Sequence, residues 1–281
     1  VYKRQGESHD GFKEIRGKEQ IDKIIMVDQS PLSTSSRSIP ATYTKSMDEI
    51  RAVFSQTREA KALGLKPGFF SFNTPGGRCE ECKGAGHLIV EMQFLSDVEL
   101  VCEACKGKRF KSEILEIKYK DKTIDQVLQM SVFEASEFFS ENPKIRKKLA
   151  PLVQVGLGYL KLGQPTSTLS GGELQRIKLA HHLIHQRDKR VLYLFDEPTI
   201  GLHPDDVSVL LQSFQNLVND GHTIVVIEHN LDIIKCADYI IDLGPEGGER
   251  GGQIVAQGTP EEIIKSKTSH TGLYLRNYLS Q

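Results

Sequence analysis

Hydrophobic residues along the chain follow two spacings, and each spacing predicts one kind of element. Short apolar runs predict strands at residues 21–28, 88–95, 113–119, 191–195, 223–228, 239–243 and 253–256. Apolar residues three and four positions apart predict helices at 47–63, 174–184 and 204–219, and shorter helices are expected within 123–155, at 231–237 and from Pro260. The run at 191–195 is apolar throughout, which is typical of a buried parallel strand.

The helix predicted at 174–184 is preceded by Ser170, Gly171, Gly172 and Glu173. Ser170 followed three residues later by Glu173 is a capping-box pattern. A helix start offers free N–H groups and the positive end of the helix dipole, and two glycines let a phosphate approach the backbone closely. The pattern by itself predicts either an anion-binding helix start or an ordinary helix cap.

Two carboxylates, Asp196 and Glu197, stand at the end of the strand predicted at 191–195. Open α/β sheets bind their ligands at the carboxyl ends of parallel strands. One carboxylate can hold Mg²⁺ mostly through water, and its neighbour can deprotonate an attacking water. A solvated turn is the alternative. His229, which follows the strand predicted at 223–228, either contacts a γ-phosphate or is structural.

Composition and charge limit the classes of function. The chain has 281 residues, of which 38% are hydrophobic and 26% charged, as in globular proteins of one or two domains. Its net charge of −1 gives no global attraction for nucleic acid, so DNA binding needs a local surface. No apolar run approaches the ~18 residues of a membrane span, and we expect no signal peptide. The location expected is cytoplasmic, with no membrane partner.

The phosphate-binding loop of P-loop ATPases has the pattern Gly-x-x-x-x-Gly-Lys-Ser/Thr, and these 281 residues do not contain it. The chain also begins at Val1. We therefore expect a fragment whose phosphate loop lies upstream. Such a fragment should bind ATP weakly or not at all on its own.

Four of the five cysteines form two Cys-x-x-Cys pairs, separated by 19 residues. In a cytosolic chain this spacing predicts a metal site rather than disulfides. Four thiolates complete a tetrahedron, so the ion should be a structural zinc. The predicted ligands are Cys79, Cys82, Cys102 and Cys105. Cys236, alone in a predicted helix, is expected to be a small buried hydrophobe.

A basic cluster follows the second cysteine pair, at Lys106, Lys108, Arg109 and Lys111. It either contacts phosphates or is a solvated face of the module. Residues 78–122 hold nine Lys or Arg and nine Asp or Glu, so charge alone does not argue for DNA binding.

The order and spacing of these motifs resemble an ABC-type ATPase. The signature motif would lie at 169–173, Walker B at 192–197, the D-loop around 201–203 and the switch histidine at His229. A cysteine module ahead of the signature is a sharper resemblance, and the chain is similar to the second nucleotide-binding half of the UvrA family. The stretches that carry this resemblance include 28–31, 37–43, 70–73, 76–79, 155–159, 163–173, 201–203, 227–230 and 242–245.

The fold that the resemblance implies is α/β: an ABC-type P-loop ATPase domain, incomplete here, with an inserted zinc-binding module and a helical signature region. Residues 1–67 would be part of the ATP-binding core with the Q-loop and the helix after it. Residues 68–122 would be the zinc module and 123–186 the helical signature subdomain. Residues 187–281 would be the part of the core with Walker B, D-loop and switch histidine.

The resemblance also implies residue roles at a composite nucleotide site. Asp196 would hold Mg²⁺ through water, Glu197 would be the catalytic base, and His229 and Gln29 would serve the γ-phosphate and the metal. The signature residues would face ATP bound on the other half of the protein; they are Ser170, Gly171, Gly172, Glu173 and Gln175.

Proteins of this family are ATP-hydrolysing subunits of the bacterial excision nuclease. They act as homodimers on damaged double-stranded DNA and load UvrB, and their cofactors are ATP, Mg²⁺ and Zn²⁺. The chain departs from the family pattern at 32–36, which lacks the usual basic residues and glycine, at Leu174 and at Phe195. These departures leave open a paralogue with another role, such as drug resistance. The first cysteine pair also resembles the zinc repeat of DnaJ-type chaperones, which is a remote alternative.

Overall fold

A computed structural model describes residues 14, 16–27, 37–90, 92, 98–184, 190–200, 202–246 and 251–280. It forms two compact units. The strand unit comprises Val1–Gln29 and Arg190–Gln281, and the helical unit comprises Ser30–Lys189. Each unit has its own core, and each is described by itself.

The described strands are β1 (Lys23–Val27), β2 (His87–Val90), β3 (Val98–Val101), β4 (Lys118–Tyr119), β5 (Lys122–Thr123), β6 (Val191–Asp196), β7 (Thr223–Ile227), β8 (Ile240–Gly244) and β9 (Gln253–Gly258). The described helices are α1 (Pro40–Tyr43), α2 (Ser46–Ser55), α3 (Arg58–Ala62), α4 (Ser112–Leu115), α5 (Ile124–Gln129), α6 (Val132–Phe138), α7 (Pro143–Gln154), α8 (Gly171–Ile184), α9 (Pro204–Asn219), α10 (Leu231–Ile234), α11 (Pro260–Ile263) and α12 (His270–Leu279). Short 3₁₀ turns lie at Lys18–Gln20, Pro67–Phe70 and Thr166–Thr168.

The strand unit is built on a parallel sheet with the order β1-β6-β7. Val27 of β1 pairs with Phe195 of β6, and Asp196 of β6 pairs with Ile227 of β7. The predicted strands at 21–28, 191–195 and 223–228 are therefore confirmed. Because the strands are parallel, their carboxyl ends lie at one edge of the sheet, where the candidate residues follow.

One face of this sheet packs on α9. Tyr193 and Phe195 are buried on β6, and the ring centroid of Phe195 lies 4.7 Å from that of Phe214 on α9. Each such side chain stabilises the unit by about 1.5–3 kcal/mol relative to an exposed one. The α9 helix covers the predicted 204–219. The strand unit also contains the antiparallel hairpin β8–β9, whose bounds lie within two residues of the strands predicted at 239–243 and 253–256. Gly258, the last residue of β9, leads into α11.

The helical unit is organised around α7, which packs against its sequence neighbours α6 and α8 and against the more distant α2. Ile50 and Phe54 of α2 and Leu149 of α7 are fully buried. The single helix predicted at 47–63 is wrong, because the structure has two helices there. Thr57 interrupts the run, since its hydroxyl accepts a hydrogen bond from Ala60 N at 3.3 Å and caps α3.

The strand predicted at 113–119 is also wrong. This stretch forms the helical turn α4 and then the two-residue strand β4. Ile114 and Ile117 are its buried residues, and a separation of three positions fits a helical turn rather than strand alternation. The short helices predicted within 123–155 are confirmed as α5, α6 and α7, and Ser131 and Glu134 form a capping box at the start of α6.

The cysteine insertion begins and ends at neighbouring positions of the helical unit. Arg78 and Phe110 form an isolated antiparallel bridge, and Cys79 N donates to Arg109 O at 2.8 Å. Between these ends, β2 and β3 pair as an antiparallel hairpin. Across the described ranges of both units, none of the helices has the length and apolar content needed to cross a membrane.

Candidate nucleotide site and metal centre

The acidic pair predicted as Walker B lies at the sheet edge. Asp196 is the last residue of β6, and Glu197 follows with φ +46°, in the left-handed region that costs a non-glycine residue about 1–3 kcal/mol. Glu197 N donates to Ile227 O on the neighbouring strand at 2.9 Å. The sheet therefore holds Glu197 in an unusual backbone conformation, as functional sites often do.

The structure brings Glu197 and His229 together. His229 Nε2 lies 3.5 Å from Glu197 Oε1, although 31 residues separate them in the chain. The His229 side chain is 85% exposed and that of Glu197 is 33% exposed. Both side chains can therefore reach a ligand at the edge of the sheet.

Glu228, which was not among the predicted site residues, joins the loops that carry these residues. Its Oε1 accepts from Thr199 N at 2.9 Å and from Thr199 Oγ1 at 2.6 Å. Its Oε2 accepts from His229 N at 2.9 Å and from Asn230 N at 3.1 Å. Its position could have indicated a role in the site, because Glu228 is an acidic residue at the end of a predicted strand and directly precedes His229.

The predicted signature helix begins at Gly171, directly after the predicted cap Ser170 and three residues before the predicted apolar run at 174–184. Glu173 N donates to Ser170 Oγ at 3.3 Å, and Ser170 N donates to Glu173 Oε2 at 2.7 Å, which confirms the capping box. Tyr159 OH donates to Glu173 Oε1 at 2.6 Å. Both carboxylate oxygens of Glu173 thus hold the helix start in place. Gln175, one turn in, is buried.

Gly171 is a glycine that the fold of this chain does not require. It is exposed, its φ lies outside the left-handed region, and a Cβ at this position would meet no atom within 4 Å. Gly84 in the cysteine module is the opposite case, with φ +85° and a Cβ that would lie 1.8 Å from Phe72 O. Gly171 therefore leaves open space at a helix start, where an anion can approach the N–H groups.

The four predicted zinc ligands form one buried cluster. Their Sγ atoms all lie within 4.8 Å of one another. Sγ of Cys79 lies 3.9 Å from that of Cys102, and Sγ of Cys82 lies 3.7 Å from that of Cys105. Sulfurs bound at about 2.3 Å to a tetrahedral zinc stand about 3.8 Å apart. The cluster therefore has the donor type, number and spacing that a closed structural zinc site requires.

Backbone turns present the cysteines to one point. Lys83 and Lys106, each directly after the second cysteine of a pair, have φ of 49° and 51°. Gly86 N lies 3.2 Å from Cys82 Sγ and donates to it. Burial raises the pKa of Cys82, but the N–H groups of Gly86 and Gly84, together with hydrogen bonds from the Cys105 and Cys79 side chains, lower it overall. Burial raises the pKa of Cys105 to about 12.

Arg109 connects the cysteine cluster to the rest of the helical unit. Its backbone N–H hydrogen-bonds to Cys105, and its guanidinium carbon lies 5.2 Å from the centroid of the Phe72 ring. Its NH1 atom is buried and has no hydrogen-bond partner among the described residues. Burial lowers the pKa of Arg109, and the negative charges of Asp125 and the cysteines oppose that shift. Arg109 is therefore turned inward, unlike the exposed Lys106 and Lys108 of the same basic cluster.

The remaining predicted residues have different outcomes. Gln29 and Gly201 lie outside the described residues. The signature residues belong to the helical unit, and Asp196, Glu197 and His229 belong to the strand unit. The prediction that Cys236 is buried in a helix is wrong, because Cys236 is exposed and α10 ends at Ile234. Apolar neighbours in the sequence do not bury a residue that lies beyond the end of its helix.

Comparison with known proteins gives a consistent result. The chain is 61% identical over 269 residues to UvrABC system protein A of Aquifex aeolicus, covering 96% of this chain and 29% of that protein. It is 60% identical over 268 residues to the protein of the same name from Clostridium perfringens, covering 95% of this chain and 28% of that protein. No protein-family model matches the chain.

A solved structure agrees with these relatives. UvrA2 from Deinococcus radiodurans matches with a TM-score of 0.87 and 45% identity, covering 92% of this chain and 32% of that one. The chain thus spans less than a third of the length of each of these relatives.

A structural match of this extent assigns the fold class, which is an ABC-type ATPase domain with an inserted cysteine module. The phosphate loop of such a domain is absent from these 281 residues. High identity across nearly the whole chain then assigns the family. The chain belongs to the UvrA family and matches one part of the longer UvrA proteins.

Proposed function

We propose that the chain is the second nucleotide-binding half of a UvrA protein, an ATPase that recognises damaged duplex DNA in nucleotide excision repair. The observation that carries this proposal is the 61% identity with UvrABC system protein A of Aquifex aeolicus over 96% of the chain. The pairing of Glu197 with His229 at the sheet edge supports it, because that edge is where open α/β sheets bind ligands.

In this proposal the strand unit serves ATP hydrolysis. Asp196 holds Mg²⁺ through water, and Glu197 takes a proton from the water whose oxygen bonds to the γ-phosphorus as the bond to the bridging oxygen breaks. His229 contacts the γ-phosphate, and Gln29 senses the metal and the γ-phosphate. A phosphate loop from outside these 281 residues completes the site.

The helical unit serves a second nucleotide. Ser170, Gly171, Gly172 and Glu173 present the start of α8 to ATP bound on the other half of the protein, with Gln175 one turn further on. The open space above Gly171 and the fixed carboxylate of Glu173 support this role. A helix start favours a phosphate through its free N–H groups and its dipole.

The cysteine cluster holds a structural zinc. A site of four buried thiolates leaves no position open for water or substrate, so the ion stabilises the module and takes no part in hydrolysis. The module shapes a surface that helps to discriminate damaged DNA. Because the chain has a net charge of −1, this surface must work through local groups rather than a global field.

The same proposal covers the assembly in which the chain acts. The protein acts as a homodimer, loads UvrB at lesions and works in the cytoplasm. Within the chain, the parts are the core segment 1–67, the zinc module 68–122, the signature subdomain 123–186 and the core segment 187–281. No observation favours a paralogue with a drug-resistance role or a chaperone-type zinc module.

The test is binding of a full-length UvrA protein carrying this segment to a duplex with and without one bulky lesion, across a salt series. The variants are Glu197→Gln, Cys102→Ser and, as the matched control, Cys236→Ser at the exposed cysteine. We expect a lesion preference in the wild type and in Cys236→Ser. The preference should fall in Glu197→Gln and in Cys102→Ser. ATP hydrolysis without any lesion preference in the wild type would contradict the repair function.

A further inference from the structure

Glu228 uses its whole carboxylate to tie together the loops that follow two neighbouring strands. Thr199 lies three residues beyond the end of β6, and both its N–H and its hydroxyl donate to Glu228 Oε1, at 2.9 and 2.6 Å. The N–H groups of His229 and Asn230, beyond the end of β7, donate to Oε2 at 2.9 and 3.1 Å. Hydrogen bonds to an ionised carboxylate are about twice as strong as neutral ones.

The four bonds lie in the same two loops as the Glu197–His229 pair, but none of them involves the side chain of Glu197 or His229. Glu197 lies two residues before Thr199, and His229 directly follows Glu228. The His229 side chain is 85% exposed, so packing does little to fix its position within the strand unit. The backbone of the loop must do so, and Glu228 is the group that fixes that backbone.

We propose that Glu228 is a positioning residue that sets the separation of His229 and Glu197 and makes the two loops move as one. This inference rests on the proposed function, because it assigns hydrolysis to Glu197. Glu228 acts through the backbone of His229 and through Thr199, and its own oxygens are occupied by the four donors. A glutamine in its place offers one acceptor oxygen and an NH₂ group, so it cannot accept from both loops.

The experiment is a double-mutant cycle in a full-length UvrA protein that carries this segment. The variants are Glu228→Gln, Thr199→Val and the two combined, with kcat and KM for ATP measured for each. We expect Glu228→Gln to lower kcat at least tenfold, with KM for ATP within about threefold of the wild-type value. We expect Thr199→Val to lower kcat less, and the double variant to be no slower than Glu228→Gln, because both changes remove one connection.

Glu262→Gln is the matched control. Glu262 Oε2 accepts from Thr259 N at 2.9 Å in the capping box of α11, so this change also removes a carboxylate that holds a backbone N–H group in the strand unit. We expect Glu262→Gln to retain the wild-type kcat even if its melting temperature falls as far as that of Glu228→Gln. A purely structural role for Glu228 predicts equal effects of the two variants on kcat.

The outcomes separate the inference from the proposed function. If the wild type does not hydrolyse ATP, or Glu197→Gln leaves its rate unchanged, the proposed function fails. If the wild type hydrolyses ATP but Glu228→Gln keeps the kcat of Glu262→Gln, or the effects of Glu228→Gln and Thr199→Val multiply, only the positioning role fails. Should Glu228→Gln not fold, Thr199→Val decides alone, and a wild-type kcat in that variant overturns the inference.

Discussion

Glu197 and His229 meet at 3.5 Å because the register of two parallel strands aligns the ends of β6 and β7. Asp196 pairs with Ile227, so the residues after each strand leave the sheet side by side. The N–H of Glu197 bonds to Ile227 O at 2.9 Å, which fixes the acid relative to the strand that leads to the histidine. The register of β6 and β7 therefore determines how close the two side chains of the candidate site lie.

A substitution of Gly171, at the start of α8, distinguishes a role in ligand binding from a role in folding. We expect Gly171→Ala to keep or slightly raise the stability of the 281-residue chain, because a Cβ there meets no atom and alanine favours a helix over glycine by up to about 1 kcal/mol. In a full-length UvrA protein the same change should lower ATP turnover. Urea unfolding and steady-state ATPase assays measure the two effects.

Gly68→Ala is the control for this prediction. Gly68 also has open space at its Cβ position and lies in a short 3₁₀ turn away from α8. We expect it to leave turnover unchanged. Equal turnover in Gly171→Ala and the wild type would show that no ligand needs the space above Gly171.

Ser170 and Ser131 form a matched pair of capping boxes in the helical unit. Replacing either serine with alanine should destabilise its helix by about 0.5–2 kcal/mol, since one backbone N–H loses its acceptor. Only Ser170→Ala should also reduce ATP turnover in the full-length protein. Thermal unfolding and ATPase assays of both variants check this, and an equal loss of turnover in the two would count against a nucleotide role for Ser170.

The metal content of the chain tests the cysteine cluster. We expect purified protein to bind about one zinc per chain, and Cys102→Ser to lose most of it because one of four thiolates is gone. Cys236→Ser should keep the wild-type zinc content, since Cys236 is exposed and outside the cluster. Elemental analysis of the three proteins gives the result, and zinc retained in Cys102→Ser would contradict a four-thiolate site.

Arg109 should support metal binding without being a ligand. Four thiolates and one Zn²⁺ leave a net charge of −2, and the inward guanidinium of half-buried Arg109, whose NH1 atom is buried, opposes it. We expect Arg109→Gln to weaken zinc affinity about tenfold, as loss of a supporting residue around a metal typically does. Competition with a chromophoric chelator measures the affinity.

Lys106→Gln is the control for Arg109. It removes the same charge beside Cys105 and has a similarly left-handed backbone, but Lys106 is exposed. Solvent should screen its charge, so we expect a zinc affinity within about twofold of the wild type. If both variants weaken zinc equally, net charge rather than the buried position of Arg109 determines the affinity.

The local patterns of the sequence were sufficient to predict the sheet strands, α8, α9 and the cysteine cluster. Apolar runs, a capping box and Cys-x-x-Cys spacing are read from a few neighbouring residues. The two bonds from Thr199 to Glu228 could not be predicted in this way, because they join loops that follow two neighbouring strands and lie 29 residues apart in the chain. The same limit explains Cys236, whose exposure depends on where α10 ends.

The most direct test of the account is ATP turnover by a full-length UvrA protein with Glu197→Gln in this segment. Glutamine has nearly the size of Glu197 and keeps one acceptor oxygen, but it cannot take a proton from water. We expect nucleotide affinity within about threefold of the wild type and turnover at this site reduced by about 10²-fold or more. Wild-type turnover with this substitution would show that the edge formed by β6 and β7 is not the hydrolytic site.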